Sequence, residues 1–299
     1  MQSRHALLPH QHALGPTELL LWIHALCPLL APLPTSLLRE IAAYFPLPAL
    51  LPAAYQHQLL IYHTHSHICT VAERPRRIGP RACFCMLNLT QAIVFPGSVT
   101  STLVLKLDLV SLEIEEMPNL LTPRKAPGSV YYAGEMYVFG GKLNTLALAD
   151  AEKLTLKGRN WTVLPDLIKA LANPLPCLHQ ANIYLLSAQD QGKIQLFSIS
   201  QQCFRLLEVA SSVWNTQVAF STAESALYRI GEKGDVGVWR MLGERKVFER
   251  EGGQGGAVEA GSTSSPVQRD GKVYFLGKKQ AIFYEVDLKE LEIKARAVL

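Results

Sequence analysis

The densest group of metal-capable side chains is His57, His63, His65, His67 and Cys69. Alternate residues of a strand point to one face, so His63, His65 and His67 would share a face on a continuous strand. Zinc accepts such ligands, but its sequence signature includes a second ligand group at a set distance, and none follows here. The histidines are expected to form a solvated turn between Tyr62 and Ile68. Residues 252–256 read Gly-Gly-Gln-Gly-Gly. A phosphate-binding P-loop needs Lys-Ser/Thr and a helix after its glycines. Neither follows, so the run is expected to be a connecting loop. The chain has no G-x-S-x-G and no H-E-x-x-H. No catalytic residue, cofactor or metal site is assigned.

The six cysteines, Cys27, Cys69, Cys83, Cys85, Cys177 and Cys203, include no C-x-x-C pair. Their scatter fits free thiols in a reducing compartment, so a cytoplasmic location is expected. Cys83 and Cys85 flank Phe84 and put both sulfurs on one strand face, where packing is the expected role. A net charge of +4 is far from the dense basic stripe of a nucleic-acid binder. The longest apolar run, residues 19–31, is broken by His24 and Pro28 and is too short to span a membrane. Arg4 before it, and Ala25 and Ala31 near its end, make a secretory leader the competing reading. Glu18, His24 and Pro28 weigh against that leader.

Residues 1–54 read as a helical segment. Pro16 or Thr17 opens a helix through Trp22 and Leu26, which Pro28, Pro32 and Pro34 break. Thr35 or Ser36 caps a second helix over 37–44, with Leu37, Leu38, Ile41 and Tyr44 or Phe45 at helical spacing. A third helical stretch is expected over 51–55, with Pro52 in its first turn. Leu33-Pro34 followed by Leu37, Leu38 and Ile41 resembles the opening of an F-box. The preferred alternative is an amphipathic helix that packs on the rest of the chain or on another copy.

From residue 55 the pattern becomes short alternating strands. Ile93, Tyr137, Tyr184, Tyr228 and Tyr274 anchor similar apolar strands at intervals of 44, 47, 44 and 46 residues. That period suits four short strands plus turns. First strands are expected at 81–86, 129–133, 176–179, 217–221 and 265–268. Third strands are expected at 103–107, 146–149, 194–199, 236–240 and 281–286. Fourth strands follow at 112–115, 161–164, 204–207, 247–250 and 292–295. Residues 59–62 and 68–71 read as third and fourth strands with nothing before them. The best-formed unit has an apolar strand from Met136 to Phe139, the diglycine Gly140-Gly141, then Trp161 and Leu164-Pro165. Glycine lets the chain turn at positive φ, and the indole fills the gap between neighbouring sheets.

With Tyr137, Gly140, Gly141 and Trp161, this unit resembles a kelch repeat, which forms one blade of a β-propeller. The resemblance implies an all-β β-propeller of about six blades, five complete and one partial, over residues 55–299. It would follow a short α-helical N-terminal segment at 1–54. Kelch-like propellers commonly act as scaffolds and adaptors. The expected function is therefore non-catalytic protein binding through inter-blade loops. One alternative is an enzyme acting on a small molecule such as a sugar at the central channel. Another is a truncated or divergent copy with little activity. The innermost strands are mostly Ala, Cys, Phe, Ser, Val and Pro, with His179, Gln217 and Gln268 as exceptions, which favours the scaffold.

In a propeller, loops between second and third strands lie on the same face as loops between blades. Here they hold Arg74, Arg76, Arg77 and Arg81, then Arg124 and Lys125, then Lys142, Lys193, Lys278 and Lys279. The acids among them are Asp166, Asp190, Glu232 and Asp235. A basic recognition face for an acidic protein segment is expected, with no nucleic-acid or membrane partner. The competing reading is a set of ordinary solvated cations.

Overall fold

The computed structural model describes residues 50–55, 58–63, 68–79, 82–88, 90–97, 100–179, 181–187, 193–208, 216–221, 226–231, 236–242, 246–252, 267–269, 272–276, 283–287 and 292–296. The F-box-like string, the two helices expected before residue 45 and the apolar run at 19–31 lie outside these residues. So do His57, His65, His67, Arg81, Lys278 and Lys279.

The strands form six sheets in chain order, plus one small hairpin. The first sheet is β1 (Leu50–Tyr55), β2 (Gln58–His63) and β3 (Ile68–Glu73). The second is β4 (Cys83–Met86), β5 (Gln91–Phe95), β6 (Val104–Asp108) and β7 (Ile114–Met117). The third begins with β8 (Gly128–Tyr132) and β9 (Glu135–Phe139). A hairpin of β10 (Lys142–Leu143) and β11 (Leu146–Ala147) interrupts it before β12 (Ala151–Thr155) and β13 (Asn160–Leu164). The fourth is β14 (Leu175–His179), β15 (Asn182–Leu186), β16 (Lys193–Ser198) and β17 (Cys203–Glu208). The fifth is β18 (Thr216–Ser221), β19 (Ala226–Gly231), β20 (Val236–Leu242) and β21 (Lys246–Gly252). The sixth is β22 (Val267–Arg269), β23 (Lys272–Leu276), β24 (Phe283–Asp287) and β25 (Glu292–Arg296).

The five later sheets are four-stranded, with strands in chain order from first to last. Their first strands adjoin along the ring: β4 touches β8, β8 touches β14, and β14 touches β18. β1 meets β23, and the Tyr62 and Tyr274 rings lie 6.3 Å apart, so the first sheet meets the sixth. This is a six-bladed propeller arrangement. The second strands β5, β9 and β15 are buried at four consecutive residues, because each sheet is stacked between two others. Apolar clusters fill the gaps. One joins Leu59 and Ile61 of the first blade to Phe84, Val94 and Leu105 of the second. Another joins Ile93 and Phe95 to Met136, Val138 and Leu154.

Three expectations are corrected. Among the described residues every element is a strand and none is a helix, so the helical component has no support. The stretch read as a third helix is β1, paired antiparallel with β2 from Leu50↔His63 to Tyr55↔Gln58. Leu and Ala favour a helix locally, but pairing with β2 and burial of Leu50, Pro52 and Ala54 override that preference. The strand pair at 59–71 is therefore preceded by a partner, and the first described strand is Leu50–Tyr55. Finally, residues 146–149 do not form the third strand of blade three. That strand is β12, and β11 belongs to the small hairpin.

Candidate interaction face

Blade three shows how the loops of one face are held. Gly140 and Gly141 adopt φ values of +51° and +96°. A Cβ on Gly140 would lie 2.5 Å from the Leu171 carbonyl oxygen, and one on Gly141 2.8 Å from that of Lys125. Glycine is therefore required both for the turn and for the close passage of neighbouring backbone. Gly141 N–H donates to Leu171 O at 2.9 Å, and Gly140 N–H to Asp150 O at 3.0 Å.

Arg124 locks this turn. Its guanidinium Nη1 donates to the carbonyls of Gly140 and Asp150, each at 2.9 Å, while Nη2 forms an ion pair with Glu152. Glu152 also accepts the backbone N–H groups of Leu121 (2.7 Å) and Thr122 (3.0 Å). Both side chains are buried, and every charged end is hydrogen-bonded, which a buried ion pair requires. The fourth blade has a neutral counterpart. Gln195 pairs with Leu185 as Glu152 pairs with Val138. Its amide accepts from Lys169 N–H at 3.2 Å and donates to Lys169 O at 2.8 Å.

Backbone bonds lace these loops together. Ser101 pairs with Arg124, Lys125 with Lys142, and Leu148 with Leu171. Leu167 N–H donates to Ala149 O at 2.8 Å, and Asn144 N–H to Thr100 Oγ1 at 3.2 Å. The 2–3 loops of blades two and three and the inter-blade loops at 118–127 and 165–174 thus form one continuous, fixed surface. Lys125 and Lys142 lie side by side on it. Leu121, Leu146 and Ile168 are exposed there at 54%, 71% and 54%. Nothing in the residue types of these loops marked that apolar component.

The expected cations separate into groups. Arg124 is only 2% exposed and faces inward. Arg76 and Lys193 are exposed, while Lys125, Lys142 and Arg74 are half-buried. Arg77 is exposed but forms an ion pair with Glu116. Arg124 is drawn inward by Glu152, the second residue of β12, whose carboxylate also holds the backbone of Leu121 and Thr122.

The other motif residues hold the blade. Tyr137 is buried, and its hydroxyl donates to Glu135 at 2.6 Å. Burial and that carboxylate push the phenol pKa well above its ordinary value. Trp161 Nε1 donates to Pro118 O at 2.8 Å and packs against the cluster between blades two and three. Phe204 fills the next gap, with its ring 6.1 Å from Phe139 and 4.8 Å from Phe197. His179, at the end of β14, is buried, and its Nε2 has no hydrogen-bond partner among the described residues. Burial lowers its pKa. The side chains of Gln217 and Gln268 lie outside the description. No cluster of three metal-capable side chains occurs among the described residues. No described helix is long and apolar enough to cross a membrane.

The fold defines a β-propeller, with one blade closed by a diglycine and an inter-blade tryptophan. The family model for the kelch motif matches residues 123–168, which span Arg124, the diglycine, Glu152 and Trp161. Among solved structures the chain is similar to one titled "Structure of YjhT". The TM-score is 0.50 at 16% identity, covering 69% of this chain and 74% of the other. That likeness is one of fold. No curated protein shows significant sequence similarity to the chain.

Proposed function

We propose that this chain is a non-catalytic protein-interaction scaffold. It captures an acidic segment of a partner on the face formed by the inter-blade loops and the 2–3 loops, and so acts as an adaptor. The observation that carries this reading is the backbone lacing of Lys125 to Lys142, which sets two lysines side by side on an ordered loop surface that also exposes Leu146. A surface ordered before binding loses little conformational entropy on binding, and fixed like charges steer an opposite partner. Arg76 and Lys193 extend the positive field along the same end of the ring. Arg124 supports the surface from beneath.

A peptide array of acidic and charge-neutral segments, probed with the full chain at low and high salt, tests the reading. Acidic members should bind at low salt, and the triple reversal Arg76→Glu, Lys125→Glu, Lys142→Glu should abolish that binding. Equal retention by the reversed protein would overturn the proposal.

A further inference from the structure

Leu121 and Ile168 hold the same place in consecutive inter-blade loops. Leu121 follows the strand exit Met117-Pro118-Asn119-Leu120, and Ile168 follows Leu164-Pro165-Asp166-Leu167. In each loop the inner leucine, Leu120 or Leu167, is buried. Its N–H donates at 2.8 Å to the 2–3 loop of the blade just completed, at Thr102 O or Ala149 O. Further along, Arg124 N–H donates to Ser101 O and Leu171 N–H to Leu148 O, each at 3.0 Å. Between these anchors a buried side chain of the next blade holds the backbone. Glu152 accepts from Leu121 and Thr122 N–H, and Gln195 from Lys169 N–H. Leu121 and Ile168 themselves turn outward and are both 54% exposed. Isolated exposed aliphatic groups are ordinary. Two at one repeat position, on backbone held at three points, are a built feature of this face.

Paired backbone joins the two loops. Lys125 pairs with Lys142, Lys142 with Ala147, and Leu148 with Leu171. Arg124 is buried, so alternation turns Lys125 outward, and Lys142 opposite it shares that side. Like charges placed directly opposite are unfavourable. Neither lysine has an acidic partner among the described residues, in contrast to Arg77, Arg124 and Arg159.

We propose that the partner segment is amphipathic, a refinement that rests on the scaffold reading above. It sets an acidic side chain across Lys125 and Lys142 and an apolar side chain against each of Leu121 and Ile168, so that it spans the loops after blades two and three. Charge complementarity selects the acid, which relieves the opposed pair of lysines. The repeated aliphatic positions select the two apolar groups, because a wholly polar segment would leave that exposed apolar area unburied against a partner.

Fluorescence anisotropy of the full chain with labelled acidic peptides of equal net charge tests this. One peptide lacks apolar residues, and the others carry a pair of leucines at varied spacing about the central acids. The best leucine-bearing peptide should bind at least about tenfold tighter than the leucine-free one. Leu121→Ser and Ile168→Ser should each remove most of that gain and leave the leucine-free affinity unchanged, while the control Val163→Ser on β13 changes neither. If acidic peptides bind alike with and without leucines at every spacing, this inference is overturned and the scaffold reading stands. A gain that survives both serine variants overturns it as well. If no acidic peptide binds at low salt, both readings fall.

Discussion

Arg124→Leu removes the cation that joins Glu152 to the diglycine turn. The Glu152 carboxylate would keep its two backbone donors but lose its counter-charge inside the protein. The carbonyls of Gly140 and Asp150 would each lose a donor at 2.9 Å. Breaking a buried pair from one side costs about 3–5 kcal/mol. Against a total stability of about 5–15 kcal/mol, that is a large fraction. The molecule contains its own control, since blade four holds the equivalent loop with neutral Gln195. Glu152→Gln added to Arg124→Leu converts the third-blade latch toward that arrangement. The double variant should therefore be more stable than R124L alone, with a coupling of about 1–3 kcal/mol between the two sites. Urea unfolding of the wild type, both single variants and the double variant gives the cycle. Strictly additive effects, with coupling below about 0.5 kcal/mol, would refute the reasoning.

The two diglycine positions should be far less tolerant than Gly134. Gly134 also has positive φ, at +86°, but a Cβ there meets nothing within 4 Å. Gly134→Ala should cost about 1 kcal/mol, and Gly140→Ala several times more, by urea midpoint. His179 should make stability pH-dependent. Its folded pKa lies below the unfolded value, so the unfolded chain binds the proton more readily. Stability should be full above about pH 6.5 and fall as pH drops toward the folded pKa, and His179→Phe should remove that part of the slope. Burial pushes the Cys83 thiol up to about 12. It should therefore resist a thiol-specific reagent at pH 8 until the chain is unfolded, as mass mapping of the labelled sites would show.

The diglycine and Trp161 were legible because each answers a local demand: positive φ at one, a gap between sheets at the other. The 45-residue rhythm was legible because strands buried on both faces read as apolar runs. β1 was not. Leu50-Leu-Pro-Ala-Ala-Tyr has no β-branched residue, and only its pairing with β2 makes it extended. The β10–β11 hairpin was hidden for a similar reason, since Leu146 looks like core but is exposed on a loop. Arg124 read as a surface cation because its partner lies 28 residues away on a buried strand. Local composition carries no trace of such a pairing.

Backbone hydrogen exchange of the full chain, with and without the tightest-binding acidic peptide, tests the interaction face most directly. Protection should rise in the loops at 100–103, 118–127, 140–150 and 165–174. Protection confined to the opposite turns, around Ala133-Gly134 and 157–159, would contradict the account.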